Sequence, residues 1–262
     1  MIGIFDSGIG GLTVVKEVFR QLPDYRVVYF GDTARTPYGT KSPETITKYA
    51  LQDAKFLVEQ GAKVIVIACH TASSVAADEI KKQIPIPVFE VVSPAIAKAK
   101  QITKHKRLGI IGTRATINSE IYQDRLNQGD SGLVIKTQAC PLFVSLVEEG
   151  WLDKSETKTI AKKYLFPLKR EKVDTLILAC THYPLIREVI QQKIGKKVMI
   201  VDPAVEVVAK MREFLKHQPE IEHQLIRDAD HKFFFSDVVD KTQYIVREWL
   251  ERPIKVEKHS LE

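Results

Sequence analysis

The feature that most constrains this 262-residue chain is an internal echo. Ile2-Gly3-Ile4-Phe5-Asp6-Ser7 returns as Leu108-Gly109-Ile110-Ile111-Gly112-Thr113, offset by 106 residues. Val27-Val28-Tyr29 has a weaker counterpart in Leu133-Val134-Ile135 at the same offset. Val64-Ile65-Val66-Ile67-Ala68-Cys69 returns as Thr175-Leu176-Ile177-Leu178-Ala179-Cys180, offset by 111, and Val92-Ser93-Pro94-Ala95 as Val201-Asp202-Pro203-Ala204, offset by 109. Buried strands resemble one another, so a single echo carries little. Four in one order at nearly constant spacing point to a duplicated unit.

The unit alternates strands with helices. Ile2–Phe5, Val27–Phe30, Val64–Ala68 and Val88–Val92 are short runs rich in β-branched or aromatic residues, which predicts buried strands. Between the second and third, Ser42-Pro43-Glu44 supplies a cap and a proline at the first helical position. Apolar residues follow at Ile46, Tyr49, Ala50 and Leu57, and Gly61 closes the helix. Such alternation predicts an α/β fold with mostly parallel sheets covered by helices. Two pseudo-symmetric α/β domains are expected. The first comprises residues 1–95 completed by 205–262, the second residues 96–204, with the active site in the cleft between them. The tail is expected to hold a helix (Val205 to Lys216), a strand (Lys232 to Ser236) and a last helix ending near Glu251.

Charge and apolar runs exclude several classes. The 39 Lys and Arg outnumber the 33 Asp and Glu by six. The basic residues are scattered among acids, however, and the densest cluster, Lys104-His105-Lys106-Arg107, has no interleaved aromatics for base stacking. That argues against nucleic acid as the main partner. The longest apolar run, Val64 to Cys69, falls far short of the roughly 20 residues that span a membrane. Met1-Ile2-Gly3-Ile4-Phe5 lacks the basic start of a signal peptide. Three cysteines are too few for a disulfide framework. Together these features predict a soluble protein of a reducing compartment, without a membrane partner.

The duplication makes two of those cysteines conspicuous. Cys69 follows one strand and precedes His70-Thr71-Ala72-Ser73, which opens a helix. Cys180 follows the matching strand and precedes Thr181-His182-Tyr183-Pro184. In open parallel sheets ligands bind beyond the carboxyl ends of strands. A thiol at a helix N-terminus is expected to have a lowered pKa. Two such thiols facing each other would suit inversion of a stereocentre, which needs a base on one face and an acid on the other. Both could instead be inert core cysteines. A zinc site of Cys69, His70, Cys180 and His182 lacks the usual ligand loops, so no metal is expected. Cys140 has no echo and is read as structural.

Taken together, Phe5-Asp6-Ser7-Gly8-Ile9-Gly10-Gly11-Leu12-Thr13, Gly31-Asp32-Thr33-Ala34-Arg35-Thr36-Pro37-Tyr38-Gly39, Ala68-Cys69-His70-Thr71-Ala72-Ser73 and Cys180-Thr181-His182-Tyr183-Pro184 resemble the glutamate racemases. These belong to the cofactor-independent aspartate/glutamate racemase superfamily. The resemblance runs from Ile2 to at least Pro203. It implies interconversion of L- and D-glutamate for peptidoglycan, without a cofactor, by a cytoplasmic enzyme that is commonly a homodimer. It also implies that Cys69 acts on D-glutamate and Cys180 on L-glutamate, with Asp6, His182 and Glu148 assisting. Asp6, Ser7, Tyr38, Gly39, His70, Thr71, Thr113, Thr116, Thr181 and His182 match substrate-contacting positions.

Other readings of the same residues stay open. Asp6 or Ser7 could cap the following helix, Pro37-Tyr38-Gly39 has the composition of a turn, and Glu148 could be a solvated helix residue. His182 could simply satisfy a backbone carbonyl. His70 stands where the family usually has Asn, and an imidazole there could titrate near neutral pH. Aspartate is an alternative substrate, since side-chain length is a property of the pocket. Gly8-Ile9-Gly10-Gly11 suggests a nucleotide-dependent phosphotransferase. Thr13 occupies the third glycine's place, however, and no Gly-Lys-Ser/Thr follows.

Overall fold

The computed structural model describes residues 1–128 and 132–261. They divide into two compact units, Met1–Val91 with Val207–Glu262, and Val92–Glu206.

The first unit is built on a six-stranded, wholly parallel sheet. Its strands are β1 (Ile2–Asp6), β2 (Val27–Gly31), β3 (Val64–Ile67), β4 (Val88–Glu90), and, in the second unit's wake, β9 (Lys232–Phe235) and β10 (Val256–Lys258). Their order is β10-β9-β2-β1-β3-β4. The tail therefore lengthens the sheet, with β9 pairing along β2 from Val28↔Lys232 to Gly31↔Phe235. The predicted strand near Lys232 is present, whereas β10 went unpredicted. Val256-Glu257-Lys258 offers no apolar run, and it pairs only at the sheet edge.

Every residue of β1, β2 and β3 is buried, as expected for strands covered on both faces. On one face Phe5, Val28, Phe30, Ile65 and Ile67 pack with Ile46, Ala50, Ala54, Phe56 and Leu57 of the Pro43–Glu59 helix. That helix starts as its sequence dictates, because Ser42 Oγ accepts from Thr45 N at 3.3 Å and Pro43 opens the first turn. Just beyond it Gly61 has φ +92°, which glycine adopts freely.

The second unit has four parallel strands, β5 (Arg107–Gly112), β6 (Val134–Ala139), β7 (Thr175–Ala179) and β8 (Met199–Val201), in the order β6-β5-β7-β8. This repeats the β2-β1-β3-β4 order of the first unit. Leu108, Ile110, Ile177 and Ala179 pack against Val92, Ala95 and Ala99 of the Val92–Ile102 helix. The predicted strand Val88–Val92 is shorter than expected, since helix begins at Val92. Pro94 suits the first helical turn, where its missing N–H costs nothing.

Both sheets have a topological switch. From β1 the chain moves to β2 on one side and then to β3 on the other; from β5 it moves to β6 and then to β7. The crevices outside β1/β3 and β5/β7 are where open parallel sheets bind ligands.

Candidate functional site

Register decides which residues lie beyond those strand ends. Phe5 pairs with Ile67, so Ser7 and Cys69, each two residues on, emerge at one level. Cys69 Sγ donates to Ser7 Oγ at 3.3 Å. Cys69 also caps the His70–Val75 helix, its sulfur accepting from Ala72 N at 3.5 Å. Asp6 Oδ2 accepts from Gly8 N at 3.0 Å. The N-cap position of the Leu12–Gln21 helix is Gly11, so neither Asp6 nor Ser7 occupies it.

The glycine loop is held by steric fit. Tyr29 Oη donates to Gly8 O at 2.8 Å. A Cβ on Gly11 would lie 2.6 Å from Asp6 Cβ, so only glycine lets that helix approach β1 so closely. The loop amide at Gly8 is thus turned onto a carboxylate of the same chain, which is the wrong sign of environment for a phosphate.

The expected lowering of the Cys69 pKa is overturned. Burial, reinforced by the charge of Asp6, pushes its thiol up to about 12 despite its hydrogen bonds with Ser7 and Ala72. A six-residue helix offers a weak field, and desolvation outweighs it. His70 also departs from expectation. Burial depresses its imidazole to about 3, so it stays neutral around pH 7. Thr71 is the next residue of the same buried turn.

Tyr38 is no ordinary exposed turn residue. It is buried, its hydroxyl lying 2.5 Å from Asp32 Oδ2 and 2.8 Å from Asp53 Oδ2. With Gly39 it forms the Tyr38–Thr40 turn, packed against the His70–Val75 helix.

The second unit carries a parallel arrangement. Gly112 pairs with Ala179, so Thr113 and Cys180 emerge level with each other. Thr113 Oγ1 caps the Arg114–Asn118 helix through Thr116 N at 3.3 Å, and the two threonine hydroxyls are 3.1 Å apart. Cys180 Sγ lies 3.9 Å from His182 Nδ1, and His182 Nε2 lies 2.9 Å from Glu148 Oε1. Glu148 is therefore no merely solvated residue, and His182 does more than satisfy a carbonyl. Burial would lower the His182 pKa, but hydrogen bonds with Cys180 and Glu148 outweigh it and raise it to about 10. Thr181 is buried between Cys180 and His182.

Tyr183 locks this array. Its hydroxyl donates to Cys140 O at 2.9 Å and its ring meets Phe143 edge-on at 5.2 Å. Those contacts fix the Leu142–Glu148 helix, and with it Glu148, against the turn bearing His182. Sequence reasoning missed Tyr183, Tyr29, Asp32, Arg35 and Asp53. Asp53 had a signal, since it falls in the apolar stripe Ile46, Ala50, Asp53, Ala54, Leu57, where an unpartnered charge would be costly. Among the described residues no group of three or more His, Cys, Asp or Glu is placed to hold a metal ion.

Comparison with known proteins adds to this geometry. The Asp/Glu/Hydantoin racemase family model matches residues 2–211. A glutamate racemase from Geobacter metallireducens is 46% identical over 237 residues, covering 90% of this chain and 87% of the relative. The crystal structure of a glutamate racemase isoform from Bacillus anthracis superposes with a TM-score of 0.92 at 35% identity, covering 100% of this chain and 97% of the other. That of glutamate racemase from Francisella tularensis in complex with D-glutamate gives 0.90 at 35% identity, with the same coverage.

Proposed function

This chain belongs to the Asp/Glu/hydantoin racemase family, and from that premise we propose that it interconverts L- and D-glutamate without a cofactor. Cys69 and Cys180 serve as the two bases. The observation that carries the reading is their equivalence. Each sulfur follows the strand beside its own sheet's switch point, level with a hydroxyl, Ser7 or Thr113, and beside an ionisable partner, Asp6 or His182. Similarity to the glutamate racemases supports glutamate over aspartate. The loop geometry at Gly8 disfavours a phosphotransferase.

The α-proton of an amino acid is very weakly acidic, so a strong base is required. A thiol near 12 is mostly protonated at neutral pH, and forming its thiolate costs about 6 kcal/mol at pH 7.5. The thiolate so formed is correspondingly strong. Cys69 removes the proton from D-glutamate while Cys180 protonates the opposite face, and L-glutamate reacts in reverse. Asp6 attends Cys69. His182, protonated at neutral pH and held by Glu148, exchanges protons with Cys180. Ser7, Thr71, Thr113, Thr116, Thr181, His70 and the Tyr38-Gly39 turn hold the carboxylates and amino group through hydroxyls and helix-terminal amides.

The same reading makes the protein a cytoplasmic homodimer supplying D-glutamate for peptidoglycan. No helix among the described residues is long and apolar enough to cross a membrane. Polarimetry on metal-free, pyridoxal-free protein tests the substrate. L-Glutamate should lose its rotation at least about tenfold faster than L-aspartate, as one methylene can discriminate. Faster turnover of aspartate, or none of either, would refute the assignment.

A further inference from the structure

We propose that Asp53 is held as a neutral carboxylic acid that donates its proton to Tyr38 Oη, completing a one-way chain from Asp53 through Tyr38 to Asp32 that positions the Pro37-Tyr38-Gly39 segment for the glutamate reaction. The positioning role rests on the racemase reading above, whereas the place of the proton does not.

Tyr38 Oη carries one proton, yet it lies 2.5 Å from Asp32 Oδ2 and 2.8 Å from Asp53 Oδ2. Asp32 Oδ2 also accepts from Arg35 Nε at 2.6 Å, so it is filled by two donors. Asp32 Oδ1 has no hydrogen-bond partner among the described residues, and a proton there would find no acceptor. Asp53 Oδ1 accepts from Arg35 Nη2 at 2.9 Å, which leaves Oδ2 facing Tyr38 alone. A proton on Asp53 Oδ2 therefore satisfies every short contact, with Tyr38 accepting from Asp53 and donating to Asp32.

Charge leads to the same place. Both carboxylates have 0% side-chain exposure, and the cation that meets them is Arg35. Two ionised acids would leave a net buried negative charge, and one neutral acid removes it. Burial, followed by the charge of Asp32, pushes the Asp53 carboxyl well above the usual carboxylate range.

The chain is placed to matter for the site. Arg35 is further held by Gln52 Oε1 at 2.5 Å and stacks over Tyr49 at 4.2 Å. Together these contacts fasten residues 32–40 to the Pro43–Glu59 helix. The same segment borders the residues around Cys69 in the first unit. The Tyr38–Thr40 turn packs on the His70–Val75 helix, and Thr36 Oγ1 would be 3.4 Å from a Cβ on Gly8. With its hydroxyl committed to two carboxylates, Tyr38 offers the substrate its backbone and not its phenol.

Infrared spectroscopy of the purified protein at about pH 8, where ordinary carboxylates are ionised, reads the proton directly. A protonated-carboxyl C=O band should be present and should vanish in Asp53→Asn. Absence of the band, or its survival in Asp53→Asn, overturns the assignment, whatever the protein catalyses. Kinetics read the positioning role. Asp53→Asn keeps a donor toward Tyr38 and should leave KM for glutamate within about twofold, whereas Asp53→Ala should raise KM about tenfold with a smaller change in kcat. If Asp53→Ala does not fold, Tyr38→Phe breaks the same chain and takes its place. Unchanged KM in the folded chain-breaking variant overturns positioning.

Discussion

Replacing Glu148 by Gln removes a charge from the group around Cys180 while leaving an oxygen to accept from His182. The magnitude follows from the pair. Oε1 and Nε2 are 2.9 Å apart, the histidine side chain is 9% exposed and the glutamate 37%. His182 sits near 10 against 6.5 for a free imidazole, and Cys180 and Glu148 share the credit. Because more than a third of Glu148 faces solvent, screening holds its pairing with His182 to about 1 kcal/mol. The sign is set by a folded-state pKa above the unfolded one. The stabilisation is complete below about pH 6.5 and is lost as pH rises through about 10. Glu148→Gln should therefore lower the unfolding free energy by about 1 kcal/mol in urea at pH 7, the gap closing above about pH 10. The alkaline limb of kcat/KM, followed by circular dichroism of glutamate, should move to lower pH. An unmoved limb together with a pH-independent stability difference would refute the role given to the His182–Glu148 pair.

Two further substitutions probe the surroundings of Cys69. His70→Asn should leave the shape of the pH profile unchanged between about pH 6 and 9, because the buried imidazole is already neutral there. Its folded pKa lies below the unfolded one, so stability drains away as pH falls from 6.5 toward 3. The variant should escape about 3 kcal/mol of the loss seen at pH 4, and an equal loss in both proteins would count against burial as the cause. Gly11→Ala places a methyl 2.6 Å from Asp6 Cβ and should cost about 1–3 kcal/mol in thermal unfolding, with activity falling as Asp6 shifts. A variant as stable and active as the parent would show that the loop yields freely.

Much of the architecture was legible because the chain states it twice. Ser7 and Thr113, like Cys69 and Cys180, hold equivalent places in the echo, and parallel register then brings each hydroxyl level with its sulfur. Ser42 and Gly61 bounded their helix through local chemistry that needs no tertiary context. Electrostatics were less legible. The helix-terminal position of Cys69 pointed to a lowered pKa, but how deeply a side chain is buried depends on elements far away in sequence, and burial wins. The same holds for His70. Tyr183 and the Asp32–Tyr38–Asp53 chain escaped notice because their partners lie 43 residues away in one case and across a helix in the other.

The two-thiol mechanism stands or falls on racemisation of L-glutamate in deuterated water by the parent protein and by Cys69→Ala and Cys180→Ala. The parent should drive optical rotation to zero and place deuterium at the α-carbon of the D-glutamate it forms, while each folded variant should leave the rotation of L-glutamate unchanged. Full racemisation by either variant would contradict the account.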